Sequence, residues 1–185
     1  YADDVSLPGQ THLAFLRSPY AHADITGVDI AAARAMPGVI AVYTGAELVA
    51  AGVKPAPGLV GLPGPDGRPP ATAPRHALAH QRVRYVGEAV VAVVAETLDQ
   101  ARAAVDAVMV DYDELPAVVN VFDAIKPGAP QLAEGAPDNI AAAMRHGDAA
   151  TTAAAFAAAA HVVAVDVDNQ RLAPSPIEPR AVSAR

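Results

Sequence analysis

The chain has no cysteine, so it can form no disulfide, no thiolate zinc site and no iron–sulfur cluster of its own. That absence fits a cytoplasmic setting. Tryptophan is missing and aromatic residues make up only 4%, so a core must be built from Val, Leu, Ile and Ala. Basic residues are few, 13 against 20 acids, and they are not clustered; the net charge of −7 argues against a nucleic-acid surface. No apolar run reaches the roughly 18 residues of a membrane span. No charged-then-apolar signal opens the chain, and Tyr1-Ala2-Asp3-Asp4 lacks an initiator methionine and reads as the interior of a longer polypeptide.

What is present reads as short strands and helices. "THLAFLRSPYAHADITGVDI" (11–30) gives two strands broken at Ser18-Pro19, with alternation weak enough to suit burial on both faces. Asp29 offers an N-cap to a short helix stopped by Pro37-Gly38. "VIAVYT" (39–44) is a β-branched strand, and Thr44 with Glu47 forms a capping box for another helical turn. Residues 52–74 are about half Gly and Pro and predict a long excursion loop. Its glycines Gly58, Gly61 and Gly64 do not have dinucleotide-fingerprint spacing, and no helix follows them.

"AVVAVVA" (89–95) is short and continuously apolar, as a strand covered on both faces should be. Thr97 and Gln100 then form a second capping box, for a helix with Leu98, Ala101 and Val105 on its core side. "VMVDYDELPAVV" (108–119) returns as strand; if parallel to 89–95 in one sheet, the connection should be a right-handed crossover. Residues 121–146 read as a Pro/Gly-rich linker. Asp148 then caps an alanine-rich helix, followed by the strand-like "HVVAVDVDNQ".

The chemistry-bearing residues form no convincing catalyst. Gly87-Glu88 stands before the apolar strand, where a glycine permits a bulge or close approach and Glu88 faces outward or pairs with Arg82 or Arg84. Of six histidines, only His76 and His80 are four apart; a helix there is doubtful, and both read as loop or strand-edge residues. Asp111, Asp113 and Glu114 offer too few oxygens for calcium and read as a solvated strand end. Ser6, Ser18, Ser175 and Ser183 lack a nucleophile elbow. Lys54 and Lys126 are not at the hairpin tip that a biotin or lipoyl carrier would need. The expectation is no catalytic, cofactor-binding or metal-ligating residue in this chain.

The order of segments nevertheless resembles a known family. "YADDVSLPGQTHLAFLRSPYAHADITGVDI", "MPGVIAVYTGAEL", "RVRYVGEAVVAVVAET" and "VDYDELPAVV" follow one another as in the N-terminal α/β hammerhead domain of molybdenum hydroxylase large subunits. That group includes xanthine dehydrogenase, aldehyde oxidase and the aerobic carbon monoxide dehydrogenases. The later "HGDAATTAAAFAAAAHVVAVDVDNQRLAPSPIEPR" is similar to the start of the molybdopterin-binding domain, with Ile177 where the family usually has methionine before Glu178-Pro179-Arg180.

The resemblance implies an α+β fold: a hammerhead domain of mixed sheet and short helices over 1–120, a linker over 121–146, and the incomplete start of a second α+β domain over 147–185. It implies oxidative hydroxylation of aldehydes, N-heterocycles or carbon monoxide, with water as the oxygen source. A molybdenum–molybdopterin cofactor would be bound by a portion beyond Arg185, with FAD and [2Fe–2S] clusters on partner domains or subunits. Gly87-Glu88 matches the family's V-G-E turn, which supports a structural role. The alternative is a non-catalytic hammerhead-like scaffold or subunit-interaction module.

Overall fold

The computed structural model describes residues 4–57, 61, 63–71, 73–136, 138–170, 172–173, 175–177 and 182. The chain forms two compact units, residues 10–144 and residues 1–9 with 145–185.

In the larger unit the elements run β1 (His12–Arg17), β2 (Ala23–Asp29), α1 (Ala31–Arg34), β3 (Val39–Thr44) and α2 (Gly45–Ala50). After the excursion come β4 (Arg82–Val83), β5 (Ala89–Ala95), α3 (Leu98–Asp106), β6 (Met109–Glu114) and α4 (Val121–Ala124). Two three-stranded sheets result, in the orders β1-β5-β3 and β4-β2-β6. The α+β class is as the sequence leads one to expect. The ladders differ from a mixed sheet, because every pairing between these strands is antiparallel.

The connection from β5 through α3 to β6 is also not a crossover within one sheet. β5 already has β1 on one edge and β3 on the other, so β6 has no free edge there and pairs with β2 instead. Register explains the burial of β5. Leu13, Val94 and Ala41 share one row and, two residues on along the same face, Phe15, Ala92 and Tyr43 share another, so the small Ala92 of the central strand lies between larger neighbours. β1 itself alternates between half-buried and exposed, with Leu13 and Phe15 outward, so it is covered on one face and not on two.

A single core joins both sheets to the helices. Val42, Val91 and Val93 of the first sheet, Ala23 and Val83 of the second, Ala33 of α1, Ala104 of α3 and Val108 between α3 and β6 belong to one buried cluster. α3 turns Ala101 and Ala104 inward, while Leu98 remains 38% exposed and Val105 only partly buried. Small side chains let the helix backbone lie close to the sheet, and that shifts the contact stripe away from Leu98. Both capping boxes are present: Thr44 accepts from Glu47 N and Thr97 from Gln100 N, each at 3.2 Å. The cap of α1 lies one residue later than expected, at Ile30; Asp29 Oδ1 still accepts from Ala31 N at 2.9 Å.

The excursion is closed at its foot by an Ala56–Arg75 bridge. Arg68 then binds Asp66 at 2.6 Å and Asp138 at 3.4 Å, and Ala71 N donates to Ala141 O at 2.7 Å. The passage 121–144 is therefore part of the larger unit. Asn139, at φ 56°, secures it: its amide donates to Ala124 O and Pro130 O and its side-chain oxygen accepts from Leu132 N, all at 2.8 Å.

In the other unit, α5 (Ala149–Ala158) begins at Asp148, whose Oδ1 accepts from Ala150 N at 2.9 Å and Thr151 N at 3.0 Å. None of its residues is buried. Residues 161–170 are exposed and join no helix or ladder among the described residues. Among the described residues no helix is long and apolar enough to cross a membrane.

Candidate functional site

Gly87 closes a turn in which Glu88 N donates to Tyr85 O at 3.2 Å. Its φ of +92° places it where an L side chain is strained, and an added Cβ would meet nothing within 4 Å. Backbone conformation, and not close approach, is thus the reason for glycine. Gly87 N donates to Ser18 O, and Ser18 N donates to Glu88 O, both at 2.8 Å. Arg17 Nη1 donates to Gly87 O at 2.9 Å, beside the register shift between Leu16 and Arg17. Glu88 is half-buried and accepts from Arg84 N at 2.7 Å through Oε2. Its carboxylate holds a turn and is not presented to a cleft.

The acids of β6 are dispersed across the ladder. Asp111 lies opposite Gly27 and Asp113 opposite Asp24. Asp24 receives Arg82 through two bonds, Nε to Oδ1 at 2.6 Å and Nη2 to Oδ2 at 3.0 Å. That fork, chiefly through its hydrogen bonds, holds the Asp24 carboxyl below its ordinary value. No group of three or more His, Cys, Asp or Glu side chains suited to a metal ion occurs among the described residues.

His76 and His80 are brought together without a helix. Their rings lie 4.8 Å apart, centroid to centroid, at 77°. They line a cleft of about 160 Å³ with Asp24, Arg82, Arg84 and Glu134. Burial, followed by the neighbouring His76 and Arg84, pushes the His80 imidazole below its usual range. Arg84 donates through Nε to Leu132 O at 3.3 Å.

A buried polar group between β1 and β2 has no signal in the sequence beyond the spacing of its residues. His22 is 4% exposed, and its Nδ1 donates to Pro116 O at 2.8 Å, which fixes the tautomer and leaves Nε2 buried without a partner. The Tyr112 hydroxyl is likewise buried and unpartnered, and burial raises its pKa. Ser18 stands near enough to oppose part of that shift, but its hydroxyl bonds the backbone of Tyr20 at 3.0 Å. The Tyr20 and Tyr112 rings pack at 5.1 Å.

Other sequence candidates fall apart in space. Lys126 pairs with Asp123 at 2.6 Å and Lys54 is exposed, in a fold that is not an all-β carrier. Ser6 and Ser175 are exposed and Ser18 is buried. Tyr1, Ala2, Asp3, Gly58, Glu178, Pro179, Arg180 and Ser183 lie outside the described residues. A molybdenum–pterin group needs backbone amides free for its phosphate and a pocket for its ring system. The described part of the excursion does not fit it: Gly64 N is engaged by Arg68 O at 2.8 Å, and the cavity of about 380 Å³ there is edged by Asp66 and Asp138.

Comparison with known proteins gives the chain its relatives. Residues 1–116 match the family described as aldehyde oxidase and xanthine dehydrogenase, a/b hammerhead domain. The nicotine 6-hydroxylase large subunit of Paenarthrobacter nicotinovorans is 38% identical over 186 residues, covering 100% of this chain and 22% of that protein. The carbon monoxide dehydrogenase large chain of Afipia carboxidovorans is 36% identical, covering 96% of this chain and 22% of its own length. Among solved structures, a Cu,Mo-CO dehydrogenase superposes with a TM-score of 0.71 at 35% identity, over 87% of this chain and 20% of that one. The chain thus spans about a fifth of the length of the relatives it matches.

Proposed function

The chain belongs to the aldehyde oxidase and xanthine dehydrogenase a/b hammerhead family, and from that membership we propose that it works as part of a molybdenum-containing hydroxylase. The carrying observation is the agreement of sequence and fold over the same residues, with 35% identity and a TM-score of 0.71 to a Cu,Mo-CO dehydrogenase. Residues 10–144 provide the rigid hammerhead body. Residues 147–185 begin the molybdopterin-binding domain, after a connection over 121–146 whose first part is folded onto that body.

The assembled enzyme oxidises an aldehyde, an N-heterocycle or carbon monoxide with oxygen from water. Molybdenum–molybdopterin resides in the remainder of the large subunit, and [2Fe–2S] clusters and FAD on partner domains or subunits, in the cytoplasm. This chain supplies assembly and substrate access, and holds no catalytic residue. The cysteine-free sequence supports placing the iron–sulfur clusters elsewhere, since such clusters are held by thiolates.

The test compares this chain alone with the same chain co-expressed with the remaining large-subunit portion and its partner subunits. The chain alone is expected to bind no molybdenum, to show no flavin or iron–sulfur absorbance, and to reduce no dye with aldehydes, purines or carbon monoxide. The assembly is expected to do so with at least one of them. Stoichiometric molybdenum on the isolated chain overturns this reading. A complete, inert assembly would instead favour the scaffold alternative.

A further inference from the structure

We propose that Asp66-Gly67 is an isoaspartate-forming site, and that the bonds Arg68 makes around it set how fast this spontaneous modification loosens the excursion. Sequence supplies the chemistry. Asp66-Gly67 is the one Asp–Gly step in the chain; every other aspartate precedes a residue with a side chain. In the reaction the Gly67 amide nitrogen attacks Asp66 Cγ. A C–N bond forms, and one carboxyl oxygen leaves as water with the acid proton and the amide proton. Water then opens the cyclic imide. Entry at the Asp66 main-chain carbonyl leaves the backbone running through Cγ, an isoaspartate of unchanged mass. Glycine favours this closure because no Cβ stands beside the attacking nitrogen.

The structure both exposes this step and restrains it. Asp66 and Gly67 are exposed, and nothing lies within 4 Å of the position a Gly67 Cβ would take, so that side is open to an imide ring. In the resting turn, however, both reacting groups are committed elsewhere. Gly67 N donates to Gly64 O at 2.9 Å. Asp66 Oδ1 accepts from Arg68 N at 3.0 Å, and Oδ2 accepts from Arg68 Nε at 2.6 Å. Those donors favour the carboxylate, a poorer electrophile than the neutral acid. Gly64 N donates in turn to Arg68 O at 2.8 Å and closes the turn.

The consequence reaches beyond one residue. Isoaspartate adds a methylene to the backbone and moves the carboxylate onto Cα, so the spacing that meets Arg68 N and Nε is lost. Of the two carboxylates that hold Arg68, only Asp138, at 3.4 Å, then remains. The excursion loosens around residues 64–68 while its Ala56–Arg75 foot stays closed.

The full chain is aged at neutral pH, folded and in urea, beside Arg68→Met and Asp66→Glu variants. Isoaspartate is read by methyl transfer from an isoaspartyl methyltransferase and located by electron-transfer fragmentation. The folded chain is expected to accumulate it slowly, with Asp66 the leading position. Arg68→Met should accumulate it severalfold faster, the urea-unfolded chain faster still, and Asp66→Glu should lose the signal. Repair of the aged chain by the methyltransferase should restore its resistance to thermolysin within residues 61–71. The comparison of folded with unfolded wild type depends on no variant folding. Absence of isoaspartate at Asp66 in the unfolded chain, equal rates folded and unfolded, or equal rates in wild type and Arg68→Met would each overturn the proposal. So would a modified chain as resistant to thermolysin as fresh protein. None of these outcomes bears on the hydroxylase reading.

Discussion

Two glycines show how differently one residue type is constrained. Gly87 needs its backbone conformation, φ +92° with open space around the missing Cβ. Gly45 needs the space itself, since a Cβ there would lie 2.3 Å from Ala79 O and 2.7 Å from Leu78 O. Those are backbone atoms, and Ala79 N is tied to Ala89 O at 2.8 Å, so the loop cannot easily retreat. Gly45→Ala is expected to cost about 1–3 kcal/mol, as overpacking does. Gly87→Ala should cost about 1 kcal/mol, from strain at positive φ. Glu88→Gln keeps an oxygen acceptor for Arg84 N and should cost less than either. Chemical denaturation of the three variants reads the order directly. A neutral Gly45→Ala would mean that residues 78–79 yield, contrary to the packing described.

At the scale of elements, legibility followed the range of the interaction. Both capping boxes are local, four-residue patterns, and Thr44/Glu47 and Thr97/Gln100 could be read from spacing alone. The β5 run was equally plain, because full burial demands continuous apolar residues. Strand partnership was not legible: nothing near Met109 says that β5 is already flanked on both edges. The His76–His80 approach was hidden for the same reason, since it depends on the fold of a loop and not on helical spacing. The excursion was recognised from Gly and Pro, but its clasp joins Arg68 to Asp138, 70 residues away.

That clasp sets an expectation for protease access. The Asp66 carboxyl lies below its ordinary value chiefly because Arg68 N–H, then its guanidinium, bonds to it. Asp138 is lowered first by the Ile140 N–H, with Arg68 contributing less. Lowered carboxyls stabilise the clasp fully above the usual carboxylate range, and the contribution is lost as pH falls through their folded values. At neutral pH the clasp is therefore intact. Arg68→Met should speed thermolysin cleavage within residues 61–71, and Asp138→Asn should do so less, because Asp66 still holds Arg68. Equal cleavage in wild type and Arg68→Met would show that the Ala56–Arg75 and Ala71–Ala141 contacts alone hold the loop.

On the scale of the whole molecule, the two units differ in how well they cover their apolar residues. The 10–144 unit buries Val83, Val90, Val91 and Val93 almost completely. In the other unit Phe156 is 59% exposed, Val163 84% and Val167 82%. Val162, Val163, Val165 and Val167 are all exposed, and a run of uncovered apolar residues of this kind invites association. In relatives about five times as long there is ample further chain to supply a cover. The isolated chain is expected to self-associate through residues 147–185, with sedimentation showing a concentration-dependent mass. Val163→Asp together with Val165→Asp should return it to monomer without changing the melting of the 10–144 unit, since charges on that strip oppose burial. Co-expression with the remaining large-subunit portion should instead protect the same amides from hydrogen exchange. A chain that is monomeric at all concentrations, with residues 161–168 already slow to exchange, would mean that the strip finds its cover within this polypeptide. In that case the 147–185 segment would be a finished element and not the opening of a larger domain.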